Sequence, residues 1–141
     1  MSEENKQKVR RLFAEAWDQG NMSVIDEVLH PDFVHYDPNS EAGEVRGADA
    51  FKGEIEYFRR ALAGLTHTVE DQVAEGDKVV TRWKASGTHQ GDFFGVPASG
   101  ERVEMSGMEI NRFDQSGKIV EAWSEYHLHG AMRQIGAIPV S

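Results

Sequence analysis

A chain of 141 residues without cysteine, carrying a formal charge of −9 from 24 acidic and 15 basic side chains, excludes a disulfide scaffold and thiolate metal sites. The same charge stands against a nucleic-acid partner, whose phosphates it repels. The length suits one domain, residues 1–141, and with no apolar leader or membrane-length run a cytoplasmic protein without nucleic-acid or membrane partners is expected.

Val9, Leu12, Phe13, Ala16 and Trp17 recur at helical spacing and predict a first helix that Gly20 ends. A short second helix follows, with Val24, Ile25, Val28 and Leu29 on one side. HPDFVHYDP reads as a turn and a brief strand over Phe33–Tyr36, and residues 37–47 read as a loop rich in Pro, Asn, Ser and Gly. A third helix is predicted from Ala48, with Phe51, Ile55, Phe58 and Leu62 as its apolar stripe.

After Leu65 the period changes from helix to strand. Residues 66–89 predict two strands around a turn at Gly76–Asp77, and ERVEMSGMEINRF and KIVEAWSEYHL predict two more around DQSG. GAMRQIG adds a final helical turn. Helices followed by a meander of long antiparallel strands point to an α+β fold, the helices packed on one face of the sheet. Long strands must twist and curl, and a curled sheet closed by helices encloses a cavity. The outer face of that sheet needs cover, so a homodimer built sheet to sheet is expected.

The run RW-x-x-x-GTH-x-G-x-F-x-G, joined to GKIVEAW and the closing RQIG, resembles the SnoaL-like polyketide cyclases, also called ester cyclases, of the nuclear-transport-factor-2-like superfamily. The resemblance extends over PDFVHYDP and nearly the whole chain. It implies a cone-shaped, curved antiparallel sheet capped by three helices from the N-terminal half, the α+β barrel that is also called cystatin-like. It further implies an enzyme with no cofactor and no metal that closes a ring by intramolecular aldol condensation on a small hydrophobic, polyketide-like carbonyl compound. The family's aspartate, four residues after the tryptophan of E-x-W, is replaced by His127, and the family's histidine before Asp-Pro by Tyr36.

Strand alternation puts Trp123, Glu125 and His127 on one face and Ala122, Ser124 and Tyr126 on the other. If the first set lines the cavity, His127 is the candidate proton carrier with Glu125 about 7 Å away along the backbone. Tyr36 is a candidate hydrogen-bond donor to an enolate, or a hydroxyl bonded within its own loop. His89 is a candidate catalytic residue or the anchor of the 90–100 loop, whose Phe93 and Phe94 read as a lid or a subunit contact. Trp17, Phe33, Trp83, Phe94, Met105, Met108 and Trp123 are the candidate pocket wall. His35, His67, His89, His127 and His129 are scattered without metal-ligand spacing, so no metal site is expected. A non-catalytic ligand binder or dimerisation module, and a hydrolase or dehydratase, are the competing functions.

Overall fold

The computed structural model describes residues 2–139. α1 (Ser2–Arg11) carries Glu3 and Glu4 in its first turn and three basic residues in its last, as the helix dipole favours. Its winding then loosens into a π-helical segment, Leu12–Trp17, which buries Leu12, Phe13 and Ala16. α2 (Ser23–Val28) buries Val24, Ile25 and Val28. β1 (Leu29–Tyr36) is longer than the four residues expected, and β2 (Glu44–Arg46) is a short partner within the expected loop. α3 (Ala48–Ala61) begins where predicted, but Leu62 is already strand. Gly47 makes that start possible: φ is 94° there, which favours glycine, while its carbonyl accepts from Phe51 N–H at 3.1 Å.

β3 (Leu62–Glu75), β4 (Lys78–His89), β5 (Arg102–Phe113) and β6 (Ile119–Tyr126) are the long strands, and α4 (Leu128–Gln134) follows them. The six strands form one sheet in the order β2-β1-β6-β5-β4-β3. Four of the five pairings are antiparallel. The exception corrects the all-antiparallel expectation: β1 runs parallel to β6, with His35 opposite Ala122. Two register shifts between β3 and β4, at Ala63/Thr66 and Val69/Asp71, bend the sheet around the helices. The fold is α+β, as expected. No helix among the described residues is long and apolar enough to cross a membrane.

The concave face is read from burial. Val79, Thr81, Trp83 and Ala85 of β4, Val103 and Met105 of β5, and Ala122 and Ser124 of β6 are buried under the helices. The helices contribute Val9, Phe13, Phe51, Ile55 and Phe58 to the same core. Gly107 of β5 is required by close packing. A β-carbon there would lie 2.6 Å from Trp83 Cζ2 and 2.8 Å from both the Glu125 carbonyl oxygen and Tyr126 Cβ. Gly107→Ala is therefore expected to destabilise the fold by about 1–3 kcal/mol through overpacking, measured by urea denaturation; unchanged stability contradicts the packing described.

Candidate active site

Between helices and sheet lies a cavity walled by Phe13, Trp17, Phe58, Leu65, Trp83 and Met105. Its polar lining is supplied by His35 and Asp37 from β1 and the turn after it, Glu54 from α3, and Glu109 from β5. Ser124 and Tyr126 of β6 and His67 of β3 complete it. Its volume is ≈ 40 Å³, counted as space open to the centres of waters. That is much less than a hollow for a whole polyketide needs, because aromatic rings occupy the rest.

The polar side chains form one hydrogen-bonded chain. His35 Nδ1 lies 2.9 Å from Glu54 Oε2, and Nε2 lies 2.7 Å from Ser124 Oγ. Ser124 O–H donates to Glu109 Oε1 at 3.1 Å, and Asn111 Nδ2–H donates to Glu109 Oε2 at 2.8 Å. A carboxylate only accepts. Nδ1 therefore carries a proton toward Glu54, and Nε2 carries one toward a serine whose own proton is spent on Glu109. The consistent assignment is an imidazolium between two carboxylates. Burial opposes that charge most strongly, but the hydrogen bond and charge of Glu54, with Glu109 and Asp37, outweigh it and raise the His35 pKa above 6.5.

Glu54, His35 and Ser124 stand in the order of a hydrolase triad. Ser124 O–H donates to Glu109 and not to His35, so the arrangement is not that of an activated nucleophile. Beside it, Tyr126 O–H donates to Asp37 Oδ2 at 3.1 Å. Burial, followed by the charge of Asp37, pushes the phenol pKa far up, so the hydroxyl stays a neutral donor. At the other end, His67 Nδ1 lies 2.7 Å from Asp18 Oδ1, and its backbone N–H donates to Asp18 Oδ2 at 2.9 Å. This double contact ties β3 to the end of the first helix. The scattered histidines do include one group with the geometry to hold a cation. The ligand atoms of His35, Asp37 and Glu54 lie within 4.8 Å of one another. Both nitrogens of His35 are engaged in hydrogen bonds, one of which a metal would have to displace.

Most of the expected catalytic residues are elsewhere. His127 is exposed at the start of α4, its ring stacked on His129, because the face of β6 that looks inward is that of Ser124 and Tyr126. Glu125 is exposed on the same outer face. Tyr36 also points outward, stacked on Trp123 at 5.6 Å, with its hydroxyl 3.4 Å from Glu121. His89 is buried but anchors the loop: its Nε2–H donates to Val96 O at 3.1 Å, and Nδ1 accepts from Ser99 N–H at 3.1 Å. None of the four lines the cavity.

Of the expected wall, Trp17, Trp83 and Met105 line the cavity. Phe33 is core, packed 5.0 Å from Phe51, and Phe94 packs on Tyr57 and Phe58 instead of on the cavity. Met108 and Trp123 belong to a groove on the outer face. The residues missed had signals. His35 alternates with Phe33 on one face of β1, and Glu54 sits three residues after Phe51 and four before Phe58, inside the apolar stripe of α3. Glu109 shares the face of Met105 and Phe113.

A curved sheet closed by helices over an acid-rich, aromatic cavity defines a small α+β protein of the SnoaL-like type. Residues 7–135 match the family described as SnoaL-like polyketide cyclase, and the chain belongs to that family. Over 131 residues it is 28% identical to the aklanonic acid methyl ester cyclase DnrD of Streptomyces peucetius, covering 91% of this chain and 88% of the relative. Its fold superposes on TsrD from Streptomyces laurentii with a TM-score of 0.83 at 32% identity, over 94% of this chain and 95% of that one. IdmH from Streptomyces antibioticus gives a TM-score of 0.81 at 30% identity, over 94% and 98%.

The raised pKa of His35 sets a sign. A group charged more readily when folded stabilises the protein fully below its unfolded pKa, near 6.5, and that stabilisation is lost as pH rises through the higher folded value. The melting temperature of the wild type is expected to fall relative to that of His35→Gln as pH rises above 6.5. Parallel melting curves for the two proteins across that range contradict the imidazolium assignment.

Proposed function

We propose that this chain is a cyclase-type acid/base enzyme acting on a carbonyl compound, with Glu54 as the proton acceptor. One observation carries the reading. Glu54 lines the cavity with one carboxylate oxygen held by His35 at 2.9 Å, while its other oxygen has no partner among the described residues. The other cavity carboxylates are committed: Glu109 to Ser124 and Asn111, Asp37 to Tyr126 and the Asn39 N–H. The name of DnrD, a cyclase of an ester at 28% identity, supports a ring closure.

In this reading Glu54 removes a proton from the carbon next to a carbonyl, and the C–H electron pair passes into an enolate. Tyr126, held neutral, turns its O–H to the enolate oxygen. The enolate carbon attacks a second carbonyl of the same molecule, forming the C–C bond, and the new alkoxide recovers the proton from Glu54. His35 keeps its charge throughout and orients Glu54. Only the part of the guest that reaches Glu54 and Tyr126 is buried, since the cavity is small.

Turnover of aklanonic acid methyl ester, and deuterium exchange into smaller β-dicarbonyl compounds followed by NMR, test the assignment. Glu54→Gln is expected to lower either rate by about a hundredfold or more, Tyr126→Phe by a smaller factor, and His127→Ala not at all. Undiminished rates in Glu54→Gln overturn it.

The expected homodimer is retained as part of the proposal. The outer face of the sheet exposes Met108 at 54% in a groove with Val80, Ile110 and Trp123, and Arg82 and Lys84 stand in the same groove as Glu125. A face that is apolar and carries both signs of charge can pack on a second copy of itself. Sedimentation is expected to show a dimer at micromolar concentration and a monomer for Met108→Asp; a monomeric wild type sinks the idea.

A further inference from the structure

Five aromatic rings form a closed circuit around the cavity. Trp17 lies 5.6 Å from His67, His67 5.4 Å from Trp83, and Trp83 6.4 Å from Tyr126. Tyr126 lies 6.3 Å from Phe58, and Phe58 5.7 Å from Trp17, which closes the ring. All five line the cavity. Asp37, Glu54 and Glu109 line it too, with no lysine or arginine among the lining residues. The basic side chains of the lining are two histidines, His35 held by Glu54 and His67 held by Asp18 from outside the lining. The polar lining thus holds three acidic side chains and no lysine or arginine, in partly buried surroundings where Coulomb terms exceed those in bulk water.

Aromatic faces and buried carboxylates attract the same kind of guest. Ring faces carry the negative part of the quadrupole and hold cations. Most of the carboxylate oxygens are already paired with Ser124, Asn111, Tyr126, Asn39 and His35. They therefore offer charge more than free lone pairs, which favours an alkylated ammonium over one that must donate several hydrogen bonds. The volume of ≈ 40 Å³ limits the buried part to a compact head.

From the ring circuit and the three carboxylates we infer that the cavity binds guests through a compact alkylated ammonium group and rejects carboxylates of the same shape. The inference rests on this cavity being the binding site of the proposed reaction, and it narrows the class of substrate or ligand. The reaction itself does not require the cation.

The test uses the whole wild-type chain and three probes of one shape: choline, its neutral isostere dimethylbutanol, and the anion dimethylbutanoate. Binding is read by calorimetry and by the indole N–H resonances of the three tryptophans. Choline is expected to bind at least about tenfold more tightly than the alcohol, the anion most weakly, and the resonances of Trp17 and Trp83 to move while that of Trp123 does not. Trp17→Leu is expected to reduce the preference for choline over the alcohol. The inference is overturned if the alcohol binds as tightly as choline, if choline shows no saturable binding at millimolar concentration, or if only Trp123 responds. Any of these leaves the Glu54 turnover test untouched, and a failed turnover test leaves the binding order standing.

Discussion

The interior is organised around one buried positive charge. The His35 imidazolium joins Glu54 of α3 to Ser124 of β6, and through Ser124 to Glu109 of β5. Helix, first strand and the two central strands of the sheet thus share one hydrogen-bonded chain. Its side chains are almost out of solvent, His35 at 5% and Glu54 at 11%. Such a chain is not a cheap way to gain stability, since desolvating its charges consumes most of the Coulomb gain. Its consequence is geometric. Removing one member leaves a buried charge unpaired, at a cost of about 3–5 kcal/mol. The register that brings His35 opposite Ala122 and Glu109 opposite Ser124 is held accordingly.

The two faces of the sheet have separate roles. Inside, rings and carboxylates line a small cavity. Outside, Tyr36 stacks on Trp123, Arg112 pairs with Glu121 at 2.6 Å, and Met108 is left uncovered. Gly107 serves the inner arrangement by its lack of a side chain, leaving room for Trp83 and Tyr126 on either side of its strand. The 90–101 loop serves the fold from the edge. His89 ties its two ends together, Phe93 is fully buried against Phe58 at 5.8 Å, and Phe94 N–H donates to Tyr57 Oη at 2.6 Å. Phe94 holds φ at 50°, a sparsely populated region for a residue of its size. The two phenylalanines therefore lock the loop to α3 instead of lining the cavity.

Much of the architecture could be read in the residues, because helix and strand periods are local. The stripe Phe51, Ile55, Phe58 located α3, and the Gly76–Asp77 turn located the β3–β4 hairpin. The parallel contact of β1 with β6 was not legible, since about 90 residues separate the two strands. On β6 the site failed at a binary choice. Alternation correctly separated His127, Glu125 and Trp123 from Tyr126 and Ser124, but which set faces inward depends on what covers each side. The resemblance, which puts His127 at the family's aspartate position, suggested the inner face for its set; Trp123 instead stacks on Tyr36 of the neighbouring strand on the outer one.

The sequence by itself determined the helices, the long strands, the family resemblance and an interior with aromatic residues at core spacing. The helices and strands follow from periodicity, which each segment carries alone; the resemblance follows from motifs in order along the whole chain. Only the tertiary structure decided that His35, Glu54, Ser124 and Glu109 meet, since they come from four elements with up to 89 positions between bonded partners. Which partner a buried imidazole finds, and therefore whether it is charged, is fixed by the curvature and register of the sheet.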